Sequence, residues 1–198
     1  MTKNKSIIAF AGRNGCGKGT AAELSAALLT APKHTYSDEL YDRLAAWGIK
    51  KEDVTRPMLQ DLSTFLRKHF GGDFLARVMA AKCAAAPGAH VVIDGVRRLE
   101  DTDILDREYG EGMIPVWIEV PADLRYERLK ARKEKAGEQM MSREEFDLQE
   151  QAESEHQLDL VRQKCKVVID NSGSSEDLRA KIEALVASIA DFGPVAHG

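Results

Sequence analysis

Two kinds of apolar pattern alternate along the chain. Unbroken runs rich in β-branched or other apolar residues occur at Ser6-Ile7-Ile8-Ala9-Phe10-Ala11, at His90-Val91-Val92-Ile93-Asp94, over residues 114–120 and at Lys166-Val167-Val168-Ile169-Asp170; they read as strands buried on both faces. A shorter strand is expected at His34-Thr35-Tyr36. Between these runs the apolar residues recur at helical spacing. Ala21, Leu24 and Leu28 mark a helix that runs to about Leu29, with Pro32 closing it. A helix over residues 39–47, capped by Ser37 or Asp38 and closed by Gly48, is followed by one opened by Thr55-Arg56-Pro57. Met58, Leu62, Phe65 and Leu66 form the stripe of that helix, which ends near Gly71-Gly72, and a further helix spans 73–86 before Pro87-Gly88. These segments form an insertion longer than a simple strand-to-strand crossover.

The second half repeats the alternation. A helix is expected over 100–108, and Pro121-Ala122-Asp123 opens another with Leu124 and Leu129 inward and Arg125, Arg128 and Arg132 at its other positions. A polar stretch over 133–141 precedes Ser142-Arg143-Glu144-Glu145, whose spacing is that of a capping box starting a new helix. Leu178, Ile182, Leu185 and Ile189 mark the closing helix, with a frayed tail expected from 190 to 198. Strands alternating with helices predict an α/β fold with a largely parallel sheet.

The first strand runs into Gly12-Arg13-Asn14-Gly15-Cys16-Gly17-Lys18-Gly19-Thr20. Strand, glycine loop and helix in that order let backbone N–H groups turn inward around a polyphosphate while the positive end of the helix faces the same anion. A tight strand-to-helix turn would account for one glycine; it does not account for four together with a lysine.

Composition narrows the remaining choices. A chain of 198 residues that is 43% hydrophobic has enough apolar material for one ordinary domain. Its net charge of -4 and pI of about 5.8 argue against a general nucleic-acid or membrane-surface binder. The three cysteines, Cys16, Cys83 and Cys165, lie far apart and suggest neither a disulfide framework nor a zinc site. With no long apolar span and a polar start leading directly into a strand, a cytoplasmic protein, monomeric or homodimeric, is expected.

The loop from Gly12 to Thr20 resembles that of adenylate kinases and related nucleoside monophosphate kinases, which have GKGT where many other P-loop proteins have GKS or GKT. Val92-Ile93-Asp94-Gly95-Val96-Arg97-Arg98 resembles their Asp-Gly segment ending in an arginine that holds the acceptor phosphate. Tyr126-Glu127-Arg128-Leu129-Lys130-Ala131-Arg132 resembles the arginine-bearing helix that leads into their lid. The C-terminal half, including Val168-Ile169-Asp170-Asn171-Ser172-Gly173, is similar to dephospho-CoA kinases and to uncharacterised archaeal P-loop kinases. The resemblance implies a three-layer P-loop kinase fold over residues 1–198: a five-stranded parallel sheet, a helical acceptor-binding insertion at about 37–88 and a short lid at about 128–146. The chain departs from the adenylate-kinase pattern at Asn14 and Arg97, where prolines are usual, and at Thr102, where a glutamine reads adenine. Those departures leave the acceptor base unassigned.

The implied activity is transfer of a phosphoryl group from ATP, with Mg2+, to a nucleoside or deoxynucleoside monophosphate. Dephospho-CoA kinase and a nucleotide-binding switch or assembly protein are the alternatives. Such chemistry needs alignment and charge neutralisation and no covalent nucleophile. On this resemblance Lys18 serves the β- and γ-phosphates, and Gly15, Gly17 and Gly19 allow close backbone approach. Thr20 and Asp94 belong to the metal shell, partly through water; Asp94 has a helix cap as its other reading. Arg97 and Arg98 are the candidate clamps on the acceptor phosphate. Arg67 joins them unless it forms a surface salt bridge, and Asp38 unless it caps a helix. Arg128 and Arg132 would meet the transferred group when the lid closes, the alternative being solvated helix residues.

Overall fold

A computed structural model describes residues 5–131, 142–150 and 153–191. Its sheet has five strands: β1 (Ser6–Ala11), β2 (Lys33–Thr35), β3 (His90–Val96), β4 (Met113–Glu119) and β5 (Val167–Asp170). All pairings are parallel, in the order β2-β3-β1-β4-β5. The helices are α1 (Lys18–Leu29), α2 (Tyr36–Ala46), α3 (Arg56–Phe70), α4 (Phe74–Ala85), α5 (Leu99–Tyr109), α6 (Ala122–Ala131), α7 (Arg143–Glu150), α8 (Glu153–Lys164) and α9 (Ser175–Asp191).

The central strand explains the layering. Successive side chains of a strand point to opposite faces, so Ile7, Ala9 and Ala11 enter one core and Ile8 and Phe10 the other. The first core contains Leu40 of α2, Leu75 and Met79 of α4, Leu105 of α5 and Leu158 of α8. The second contains Ala21 and Ala22 of α1 and Leu178 and Ile182 of α9. β1 is buried along Ile7–Ala11, which is why it carries no polar alternation and can deliver the following loop from a rigid position. Truncating a fully buried residue of this strand, such as Ile8, costs about 2–5 kcal/mol.

Several local expectations are corrected. α2 starts at Tyr36 and ends at Ala46, not over 39–47; Thr35 precedes it and contributes no side-chain cap. Ser37 and Asp38 therefore lie inside its first turn, where the acidic side chain meets the positive end of the helix rather than capping it. Thr30 in a left-handed conformation ends α1 before Pro32 is reached. Three helices, α2 to α4, fill the insertion between β2 and β3. β3 continues past Asp94 through a bulge: Phe10 pairs with Asp94 but Ala11 with Val96, leaving Gly95, at φ 88°, as the extra residue. On α6, Arg125 is buried and Leu124 only partly so, the reverse of the expected facing. The Thr55 cap holds, its hydroxyl accepting the Met58 N–H at 3.4 Å. So does the 142–145 capping box, with Glu145 N–H to Ser142 Oγ at 3.1 Å and Ser142 N–H to Glu145 Oε2 at 2.8 Å. α9 runs through the expected start of the frayed tail to Asp191, and residues 192–198 lie outside the described residues.

Candidate phosphate-binding site

The glycine loop leaves β1 at the C-terminal edge of the sheet, where ligands of open parallel α/β sheets bind. Gly17, at φ 87°, is the last residue before α1, and Lys18 is the first helical one. First-turn N–H groups of a helix have no intrahelical carbonyl, so the start of α1 directs donors and its positive end into the loop. A side chain at Gly15 would bring Cβ within 2.8 Å of the Arg125 carbonyl, and one at Gly17 within 2.5 Å of Asn171 Nδ2. Both positions also have positive φ, so these glycines are required by conformation and by space. Cys16 is fully buried, and its Sγ lies 2.6 Å from where a Gly12 Cβ would stand. It packs the underside of the loop, as a small apolar residue does.

Two residues outside the loop, Asn171 and Arg125, brace it, and the loop's own Arg13 ties it to α7 and α8. Asn171, buried after β5, donates from Nδ2 to the Cys16 carbonyl at 2.8 Å, and its own N–H bonds Glu119 O at 2.9 Å. Arg125, 3% exposed, donates to Asn14 O and Val120 O, each at 3.2 Å, and forms a two-point ion pair with Glu150 of α7. Arg13 reaches Asp159 Oδ1 of α8 at 2.6 Å and lies 3.8 Å from Glu150. Arg125, Glu150 and Asn171 are not among the candidate site residues read from the sequence. A polar residue just past a parallel strand, as Asn171 is, carries a usable signal; the Arg125–Glu150 pair has none, because it joins two helices across 25 residues.

Asp94 occupies the neighbouring edge. A Cβ on Gly19 would lie 3.4 Å from its Oδ2, which places the carboxylate beside the first turn of α1. Burial raises the Asp94 pKa, against the opposing pull of Lys18, Lys33 and Arg97. Its Oδ1 is buried and accepts no hydrogen bond among the described residues. A carboxylate with an unused buried oxygen among three cations fits a site for a cation and phosphate oxygens, and among the described residues no capping bond runs from Asp94 to α5. Asp101 instead caps that helix, accepting the N–H groups of Arg97 and Arg98 at 3.2 and 3.1 Å. Thr20, in the first turn of α1, is exposed. Among the described residues no group of three or more His, Cys, Asp or Glu could hold a metal by itself. A hard ion such as Mg2+ would then take its other ligands from phosphate and water.

The remaining candidates fall into three groups. Arg97 stands close enough to Asp94 for its charge to be felt there, whereas Arg67 is held near Asp101, with Nη2 3.7 Å from Oδ1 and Nη1 donating to Gly72 O at 2.7 Å. Arg98 begins the turn into α5. Asp38 is exposed on α2, and its charge acts on His34. Arg128 reaches the Gly173 carbonyl at 3.5 Å, while Arg132 and the polar segment 133–141 lie outside the described residues. Trp117 is buried and Trp47 is 67% exposed. Among the described residues no helix is long and apolar enough to cross a membrane.

No protein-family model matches the chain. It is similar to a UPF0200/UPF0201 protein of Archaeoglobus fulgidus, 28% identical over 192 residues that cover 96% of this chain and 58% of that protein. A UPF0200 protein of Methanosarcina barkeri is 32% identical over 126 residues, covering 64% of this chain and 66% of its own length. The chain thus spans somewhat less than two thirds of these curated relatives. Among solved structures, the shikimate kinase of Bacteroides thetaiotaomicron superposes with a TM-score of 0.64 at 15% identity, covering 93% of this chain and 98% of that one. A shikimate kinase of Acinetobacter baumannii in complex with shikimate gives 0.53 at 16% identity, covering 95% and 94%. The five-stranded parallel sheet, with helices on both faces and the glycine loop after its central strand, is the fold of the P-loop kinases.

Proposed function

We propose that the chain is an ATP- and Mg2+-dependent phosphotransferase whose acceptor is a ribo- or deoxynucleoside monophosphate. The observation that carries this reading is the meeting of Lys18, the first turn of α1 and the partly unsatisfied Asp94 carboxylate at one edge of the sheet, with Arg97 beside them. The loop N–H groups and Lys18 hold the ATP phosphates, and Lys18 offsets charge that grows on them during transfer. Thr20 and Asp94 are the residues that would hold Mg2+, partly through water, and the ion would neutralise phosphate charge. Arg67, Arg97 and Arg98 grip the acceptor phosphate, for which a guanidinium fork is suited. The insertion at about 37–88, with Asp38 on its first helix, forms the acceptor side, and the segment at about 128–146 forms a lid that brings Arg128 and Arg132 to the transferred group. Arginines on two sides of the loop favour a kinase over a switch, because a switch needs no second phosphate site.

The test is ADP release by the purified chain with each ribo- and deoxynucleoside monophosphate and with dephospho-CoA. Release that depends on one class of nucleoside monophosphate supports the reading. Release only with dephospho-CoA replaces the acceptor, and acceptor-independent hydrolysis as the dominant activity moves the protein to the switch class.

A further inference from the structure

All three candidate acceptor arginines connect to one carboxylate. Asp101 is 1% exposed in the first turn of α5. Its Oδ2 accepts the Arg97 N–H at 3.2 Å and the Arg98 N–H at 3.1 Å, and its Oδ1 stands 3.7 Å from Arg67 Nη2 at the far end of α3. An ordinary helix cap would account for the Arg98 bond, since a third-position acid commonly accepts the capping residue's N–H. It accounts neither for the second N–H nor for the burial of the charge, nor for the oxygen turned toward another element.

We propose that Asp101 is a positioning residue for the phosphoryl acceptor, fixing the turn that carries Arg97 and Arg98 and the guanidinium of Arg67 in one arrangement before the acceptor arrives. The inference rests on the acceptor role given to these arginines in the proposed function. Arg67 is further held by Gly72 O at 2.7 Å and by Ser63 Oγ at 3.4 Å, so its side chain is already fixed and only 12% exposed. Such pre-ordering lowers the entropy lost when a phosphate is gripped. Burial pushes the Asp101 pKa up while Arg67 and the two N–H groups oppose that rise, and Asp101 in turn adds to the burial that raises Tyr36 well above its ordinary value. Glu100 also approaches, its Oε1 lying 3.5 Å from where a Gly72 Cβ would stand.

Asp101→Asn keeps an oxygen for the two N–H groups and removes the charge that holds Arg67. With the best nucleoside monophosphate, its KM for the acceptor should rise about tenfold or more, while ATP affinity, read by displacement of a fluorescent ATP analogue, changes less than about twofold. Arg67→Ala should raise the same KM, and the Asp101→Asn/Arg67→Ala double variant should fall well short of the product of the two effects. Asp101→Ser, which offers a smaller acceptor to the same N–H groups, carries the test if Asp101→Asn does not fold. An unchanged acceptor KM, or equal losses toward ATP and acceptor, would overturn the inference while leaving the phosphotransferase reading in place. A wild-type chain that transfers to no nucleoside monophosphate would overturn the reading, and this inference with it.

Discussion

Arg125 of α6 and Glu150 of α7 meet through two bonds, Nη1 to Oε1 at 2.9 Å and Nη2 to Oε2 at 2.5 Å, and the same guanidinium supports the Asn14 carbonyl of the glycine loop. The helices on either side of segment 132–141 are thereby anchored to the loop. Removing one partner of a buried pair leaves an uncompensated charge, at a cost of about 3–5 kcal/mol. Glu150 keeps 20% side-chain exposure, so Glu150→Ala should cost less, about 2–3 kcal/mol, in urea unfolding. Arg143→Ala, which breaks exposed pairs with Asp123 and Asp147, should stay within about 0.5 kcal/mol. Equal effects of the two variants would remove the special role of the Arg125 pair.

Lys18 should matter to turnover and little to folding. Lys18 starts α1 and is one of the cations that oppose the burial of the Asp94 carboxylate, so Lys18→Ala should fold and melt only slightly below the wild type. Phosphoryl transfer should fall by about a thousandfold or more. A folded variant that keeps most of its activity would take the loop lysine out of the chemistry.

The Asp94 carboxylate sets a stability cost against its function. Its folded pKa lies above its unfolded value of about 3.9, because burial outweighs the attraction of Lys18, Lys33 and Arg97. The folded chain therefore binds this proton more tightly than the unfolded chain. The stability that protonated Asp94 contributes is fully present below the unfolded pKa and is lost as pH rises through the folded pKa. Asp94→Asn carries no charge to bury, so it should melt higher than the wild type at pH 7, with the difference vanishing near pH 3.5. Its transfer rate should fall by about a hundredfold or more. Lower thermal stability of the variant at pH 7 would contradict the burial account.

The sheet was legible because period-two burial on both faces leaves unbroken apolar runs, and the glycine loop because its backbone demands are written in residue type. Chain contacts distant in sequence were not. Burial of Arg125 turns on Glu150, and the start of α2 at Tyr36 follows from Thr35 leaving β2 directly into the helix, which overrode the capping propensity of Ser37 and Asp38. Asp94 was legible as a strand-end carboxylate, but its helix-cap reading could be set aside only once Asp101 was seen to occupy that role.

Asn171 should act on ATP and not on the acceptor. Its Nδ2 bond to Cys16 O fixes a loop carbonyl, and losing one such buried bond costs about 1–1.5 kcal/mol, near tenfold in affinity. Asn171→Ala should thus weaken ATP binding by about tenfold and leave the acceptor KM within about twofold. Calorimetry for ATP and steady-state kinetics for the acceptor separate the two, and a selective loss toward the acceptor would reassign the residue.

The central claim is that a phosphoryl group leaves ATP for a nucleoside monophosphate. Phosphorus NMR of the wild-type chain with ATP, Mg2+ and a mixed pool of nucleoside monophosphates follows that group directly. The account predicts equal growth of ADP and of the acceptor's diphosphate, or two ADP per ATP consumed when the acceptor is AMP, with little free phosphate. Accumulation of free phosphate with no new nucleoside diphosphate would contradict it.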